Sequence, residues 1–125
     1  MNIVLDAGGL IGIDRDDRRV AGLVELARRA GAELVTTAPV VGQVWRDGAR
    51  QARLARLLPM IDIRGAGLPE ARTAGELLAR TGASDIVDAL LALVAVPGDQ
   101  IFTSDPDDLR VLAYGREIPL TIVRV

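Results

Sequence analysis

The strongest constraint on the fold is the order in which short aliphatic runs and amphipathic segments follow each other along the chain. Between the aliphatic runs, apolar positions recur three and four residues apart, as they do on the buried face of a helix. Strands that are buried on both faces have such continuous apolar runs, so the alternation predicts an α/β fold with a parallel sheet between two helical layers. The predicted strands lie at 2–5, 33–37, 61–63, 101–103 and 120–125.

Acidic residues, prolines and glycines mark where the predicted helices begin and end. The first helix is expected from about Asp16 or Asp17 to Arg29, ahead of Gly31. No internal repeat, low-complexity segment or linker interrupts the 125 residues, which predicts a single domain over residues 1–125. Further helices are expected from Pro39 to Gly48, at 50–58, at 69–80 ahead of Gly82, at 85–96 with Ser84 as the cap, and from Pro106 onward.

The residue types that the chain lacks exclude many catalytic chemistries. It contains no His and no Cys, and all 15 basic residues are Arg. Histidine acid–base catalysis, thiolate nucleophiles, Cys-based zinc sites, P-loops and lysine Schiff bases are therefore excluded. Carboxylate chemistry remains, and it points to a divalent metal ion.

Charge and hydropathy bear on partners and location. The net charge of −2 gives no overall basic field, so nucleic-acid binding would depend on a local group of arginines. The longest apolar stretch, 86–96, contains an aspartate and is much shorter than the roughly 20 residues of a membrane span. The first residues lack the features of a signal peptide, so we expect a cytoplasmic protein.

Carboxylates follow two of the predicted strands and begin one predicted helix. Asp6 ends the first strand and Asp105 follows the fourth, so neighbouring strands would bring both to the crevice beyond the sheet. Asp85 and Asp88 are three residues apart and share one helix face. Clustered carboxylates repel each other unless a cation lies among them, and Mg²⁺ or Mn²⁺ prefers such oxygen ligands.

Each of these acids also has a structural interpretation. Asp6 could begin a turn, Asp105 could cap a helix, and Asp85 could be a first-turn partner of the helix dipole. Asp88 is the hardest to explain in this way, because an unpaired charge among its apolar neighbours is costly. Asp107 and Asp108 suit a first helical turn for the same reason as Asp85.

With these motifs the chain resembles the PIN-domain family, and in particular the VapC ribonuclease toxins of VapBC toxin–antitoxin modules. The motifs are NIVLDAGGLI, SDIVDALLALVA and TSDPDDL, in this order, and the resemblance covers essentially the whole chain. It implies strand order 3-2-1-4-5 and an endoribonuclease that depends on Mg²⁺ or Mn²⁺. It further implies an RNA substrate, a cognate antitoxin on a separate chain and a homodimer. By this resemblance Asp6, Asp88 and Asp105 are the catalytic and metal-binding residues, and Asp107 is an auxiliary acid.

Two positions depart from the family pattern. Gln43 stands where the family has a glutamate, and Gly8 stands where a small hydroxyl residue is usual. The carboxylate of Asp47, one turn from Gln43, is a candidate substitute. Asp105 and Asp107 are expected to face the crevice, and Asp108 is not. The secondary site candidates are thus Gln43, Asp85 and Asp107.

An arginine group is the candidate RNA-binding surface. If the helix that begins at Pro39 continues past Gly48, the spacings of four and three place the arginines in one stripe that could bind phosphates. The alternative is an ordinary solvated helix face. The candidates are Arg46, Arg50 and Arg53, with Arg56 three residues further on.

The nuclease has rivals from other function classes. A catalytically weakened PIN-fold protein that binds an antitoxin or RNA is the main alternative, because Gln43 and Gly8 replace site residues. Receiver domains and haloacid-dehalogenase-type phosphatases need a lysine that this chain lacks. The latter also need a second aspartate where Gly8 stands.

Overall fold

A five-stranded, all-parallel sheet in the order β3-β2-β1-β4-β5 forms the centre of the molecule. The structure is a computed structural model that describes residues 1–125. The predicted α/β class and strand order are confirmed, and each predicted strand boundary lies within one or two residues of the observed one. The strands are β1 Asn2–Leu5, β2 Glu33–Thr37, β3 Asp62–Arg64, β4 Gln100–Thr103 and β5 Thr121–Arg124.

Seven helices cover the sheet in two groups, one formed by the helices before β3 and the other by those after it. This arrangement follows from right-handed crossovers, because the chain winds to β3 in one direction and then returns past β1 to β4 and β5. No helix of the chain combines the length and the hydropathy needed to cross a membrane. The helices are α1 Ala7–Asp14, α2 Arg18–Arg29, α3 Ala38–Val44, α4 Ala52–Leu57 with a 3₁₀ turn at Leu58–Met60, α5 Leu68–Thr81, α6 Ile86–Val94 and α7 Pro106–Arg116.

The aliphatic core holds β1 and β4 at the middle of the sheet. Ile3, Val4 and Leu5 have no exposed surface, and Phe102 opposite them is also buried. Because strand order reverses between β1 and β4, the carboxyl ends of these two strands open the crevice where ligands bind in such folds. The residues that follow β1 and β4 therefore lie side by side.

Three helix predictions need correction. Helix α1 was not predicted, because its three glycines in eight residues give it a low intrinsic helix propensity. The helix from Pro39 ends at Val44 and does not reach Gly48, since Trp45 adopts an extended conformation. The cap of α6 is Asp85 and not Ser84, because the Asp85 carboxylate accepts the first free backbone N–H groups of the helix.

Candidate metal centre

Three aspartates converge at the crevice between β1 and β4. One carboxylate oxygen from each of Asp88, Asp105 and Asp108 lies within 4.8 Å of the others. Two of these residues belong to the start of α7 and the third to the first turn of α6. The arrangement therefore joins two chain segments that are far apart in sequence.

The start of α7 presents two carboxylates on one side. Asp105 occupies the N-cap position, but its side chain makes no capping hydrogen bond. Its backbone N–H donates to Thr103 Oγ1 at 2.9 Å, which fixes the turn between β4 and the helix. Asp108 is one turn further along, so it lies on the same face as Asp105. Both carboxylates are thus free to hold a ligand.

Asp6 lies behind this cluster and is held more firmly. It is only 7% exposed, and its Oδ1 accepts the Gly9 N–H at 3.1 Å as the cap of α1. Burial raises the pKa of Asp6, while hydrogen bonds from the Thr103 hydroxyl and from nearby backbone N–H groups oppose that rise. Thr103 thus contacts both Asp6 and the backbone of Asp105, and it couples the ends of β1 and β4.

The pKa values of two carboxylates in the cluster are raised. Burial, followed by the charges of Asp85, Asp6, Asp108 and Asp105, raises the pKa of Asp88 to about 6. A hydrogen bond with Asp105, and the charge of that residue, raise the pKa of Asp108. Neighbouring carboxylates contribute to both shifts, since each carboxylate gains a proton more readily when others lie nearby, but burial is the larger cause for Asp88 and the hydrogen bond for Asp108.

The donor set fits a small divalent cation. All of its ligand atoms are carboxylate oxygens, which are the preferred ligands of Mg²⁺ and Mn²⁺, and no softer donor is present. Asp88 is half-buried and Asp105 and Asp108 are exposed, which leaves room for the waters that Mg²⁺ retains. A dication there would offset the repulsion that raises the pKa of Asp88.

The secondary candidates lie outside the three-carboxylate cluster. Asp85 is occupied as the cap of α6, although it borders a cavity of about 180 Å³ together with Asp88 and Asp108. Gln43 is exposed on α3, and its side chain makes no hydrogen bond within the chain. Asp47 accepts the Ala49 N–H at 3.0 Å and is not among the three clustered carboxylates.

The expected order of Asp107 and Asp108 is reversed. Asp107 forms an ion pair with Arg110 at 3.1 Å on the exposed side of α7, whereas Asp108 joins the cluster. Helical periodicity could have indicated this, because residues three apart share a face and residues two apart do not. The spacing from Asp105 to Asp108 was the available signal.

A hydroxyl does lie beside Gly8, although the residue itself has no side chain. A Cβ built on Gly8 would lie 2.5 Å from Ser104 Oγ and 2.9 Å from the Ser104 backbone nitrogen. The space that a side chain at position 8 would need is therefore occupied by Ser104, from the β4–α7 turn. The departure at Gly8 and the serine after Thr103 are sterically matched.

The predicted arginine stripe does not lie on one helix. Helix α3 ends at Val44 and α4 begins at Ala52, so Arg46 and Arg50 lie in the irregular loop between the helices and only Arg53 lies on a helix. Each of the three has a local partner: Arg46 donates to the carbonyls of Gly42 and Trp45, Arg50 lies 3.7 Å from Asp47, and Arg53 lies 3.7 Å from Asp16.

Comparison with known proteins supports the fold directly. No protein-family model matches the sequence, and no curated protein matches it either. Among solved structures, a chain from the crystal structure of VapBC2 from Rickettsia felis, bound to a DNA fragment from their promoter, superposes with a TM-score of 0.66. The match covers 100% of this chain and 99% of that one at 14% sequence identity. At this identity the likeness establishes a shared PIN-like fold.

Proposed function

We propose that this PIN-like chain is the toxin of a toxin–antitoxin module and acts as an endoribonuclease that depends on Mg²⁺ or Mn²⁺. The observation that carries the proposal is the convergence of Asp88, Asp105 and Asp108 within 4.8 Å at the crevice of the sheet, with buried Asp6 behind them. The structural likeness to a VapBC2 chain supports the toxin assignment.

Asp6, Asp88 and Asp105 are the proposed catalytic and metal-binding residues, and Asp108 is the fourth carboxylate. Asp108 supplies from α7 the negative charge that Gln43 does not supply from α3. A bound cation would polarise the scissile phosphate and lower the pKa of an attacking water. The chain contributes the geometry: Gly9 and Thr103 hold Asp6, and Thr103 also accepts the backbone N–H of Asp105 at the start of α7.

Cleavage of labelled RNA tests the activity. Wild-type protein should cleave in millimolar Mn²⁺ and not in EDTA, and Asp6→Asn, Asp88→Asn and Asp105→Asn should each abolish cleavage while circular dichroism stays unchanged. Asp14→Asn is a matched control, because Asp14 lies at the end of α1 outside the cluster. Metal-independent cleavage, or full activity in Asp88→Asn, would refute the proposed site.

The partners form part of the same proposal. An antitoxin on a separate chain would bind this protein, as the paired names in VapBC2 suggest for its relative, and the protein itself would be a homodimer. Sedimentation analysis of the purified chain tests the dimer. Co-purification with the product of an adjacent gene tests the antitoxin.

The second candidate function is a binding module with little catalysis. It is favoured by the exposed amide of Gln43, which supplies no charge to the site. Calorimetry with Mn²⁺ separates the two functions, because a weakened site would bind the ion poorly even at millimolar concentration.

A further inference from the structure

A second cavity lies between the end of α5 and the outer face of α7. Its volume is about 850 Å³, within the range of about 300–1,000 Å³ that is usual for ligand sites. Neither the metal-centre residues nor the arginines of the α3–α4 region line it. The groove, as we call it below, is lined mainly by Arg80, Thr81, Arg110, Tyr114, Gly115 and Arg116.

Close packing of α5 and α7 makes the floor of the groove. A Cβ on Gly115 would collide with the Thr81 side chain, so only glycine lets the two helices approach this closely. Arg116 is half-buried at the base and donates to the carbonyls of Ala92 and Ala95 at the end of α6. The floor is therefore a packed part of the fold, and the rims carry the exposed groups.

The rims combine positive charge with an exposed aromatic ring. Arg80 is exposed on α5 and has no carboxylate partner. Arg110 pairs only with Asp107, and such an exposed pair exchanges readily with another anion. Tyr114, one turn from Arg110, is 87% exposed, although a tyrosine ring usually buries its apolar faces. Glu117 is the one acidic lining residue.

The groove continues from the metal centre along one face of α7. Asp108, Val111 and Gly115 are spaced by three and four residues, so they follow one another on that face. Seven residues of helix span about 10 Å. On α5, Thr81 of the groove is adjacent to Gly82, which lines the cavity beside Asp88. An RNA strand bound at the carboxylate cluster would therefore place its neighbouring nucleotides in the groove.

We propose that the groove binds single-stranded RNA next to the scissile phosphate, with Tyr114 stacked on a base and Arg80 and Arg110 bound to phosphates. This inference rests on the proposed nuclease function and adds a substrate-binding site to it. Sites for single-stranded nucleic acid pair cationic side chains with aromatic platforms in this way. Arginine also suits phosphate because it can bind two oxygens at once.

Fluorescence anisotropy of a labelled single-stranded RNA 12-mer, measured in EDTA to prevent cleavage, tests the groove. Tyr114→Ala should weaken binding roughly 10-fold, as loss of one stacked base does, and Tyr114→Phe should bind like wild type. Arg80→Gln and Arg110→Gln should weaken binding and reduce the salt slope by about 0.7 each. Arg72→Gln is the matched control, because Arg72 is exposed on α5 but does not line the groove.

Two outcomes would overturn the inference. If Tyr114→Ala and Arg80→Gln bind the RNA as tightly as wild type, the groove is not an RNA site. If the same variants leave RNA affinity unchanged but alter sedimentation, the groove is an interface between copies of the chain.

Mn²⁺ calorimetry on each variant should give wild-type affinity. If the groove variants bind RNA normally, the metal centre and the proposed function are unaffected. If wild-type protein does not bind Mn²⁺, the result counts against the proposed nuclease function and does not test the groove.

Discussion

Asp107 and Asp108 are adjacent in sequence, carry the same charge and have different surroundings. If Asp108 is the fourth ligand, Asp108→Asn removes one charge at ligand distance and should weaken Mn²⁺ binding roughly 10-fold or more. Asp107→Asn should leave the affinity unchanged, because Asp107 faces Arg110. Calorimetric titration of both variants measures this. Equal effects of the two substitutions would mean that only the overall charge matters, and would remove Asp108 from the ligand set.

Gly8 and Ser104 should behave as a coupled pair. Gly8→Ser places a Cβ against Ser104, and such overpacking should lower the free energy of unfolding by about 1–3 kcal/mol. Ser104→Gly should relieve part of that loss in the double variant, because it removes the side-chain contacts while the contact with the Ser104 backbone nitrogen remains, and such coupling is the signature of direct contact. Gly42→Ser is the control, since a Cβ at Gly42 meets no atom within 4 Å. Additive effects in urea unfolding would contradict the steric match.

The pKa of Asp88 predicts how stability depends on pH without metal. In the folded chain this pKa is about 6, above the roughly 3.9 of an unfolded aspartate. Between these values the folded state holds the proton more tightly, so the Asp88 contribution to stability is present at low pH and is lost as pH rises to about 6. Urea unfolding in EDTA at pH 4.5 and 7 should therefore show a larger loss of unfolding free energy in wild type than in Asp88→Asn, in which the raised pKa values of Asp6 and Asp108 still contribute. An equal decrease in unfolding free energy in both proteins would mean that groups other than Asp88 cause the pH dependence.

At the scale of elements, the interruption between α3 and α4 depends on one side chain. Gln51 Oε1 accepts the N–H groups of Arg46 at 2.7 Å and Asp47 at 3.0 Å, and Gln51 Nε2 donates to Val44 O at 2.9 Å. The end of α3 is therefore held from seven residues further along the chain. Periodicity alone continued the helix to Gly48, because it registers local spacing and not a contact of this kind.

Gln51→Ala should therefore loosen the loop and lower the free energy of unfolding by about 1–2 kcal/mol, since it removes three hydrogen bonds, of which the one to Val44 is partly buried. Gln43→Ala, at an exposed glutamine without hydrogen bonds, should change stability little. Chemical denaturation compares the two. A stable Gln51→Ala variant would show that the backbone alone holds the loop.

The elements that the sequence did predict share a simple physical basis. Buried strands such as Ile3–Leu5 must be apolar on both faces, and this requirement fixes their position to within a residue or two. Helix α1 was missed because its stability comes from tertiary packing and the Asp6 cap, while its three glycines oppose helix formation.

At the scale of the whole molecule, the strand order explains why distant acids meet. Reversal between β1 and β4 brings Asp6 and Asp105 to one crevice, and this much follows from the topology alone. Finer geometry decides which aspartates lie in the cluster. Asp108 and not Asp107 lies on the side of α7 that faces the other carboxylates, and Asp85 accepts hydrogen bonds as the N-cap of α6. The strand pattern thus predicts where the carboxylates lie, whereas the helical phase that brings Asp108 and not Asp107 to the cluster depends on where α7 begins.

One divalent cation should bind among Asp88, Asp105 and Asp108, with Asp6 behind them. Titration of wild-type protein into Mn²⁺, monitored by loss of the free-ion electron paramagnetic resonance signal, tests it most directly. We expect one bound Mn²⁺ per chain, with an affinity that is strongly weakened in Asp88→Asn and unchanged in Asp107→Asn. An undiminished free-ion signal with wild-type protein, or equal Mn²⁺ binding by Asp88→Asn, would contradict it.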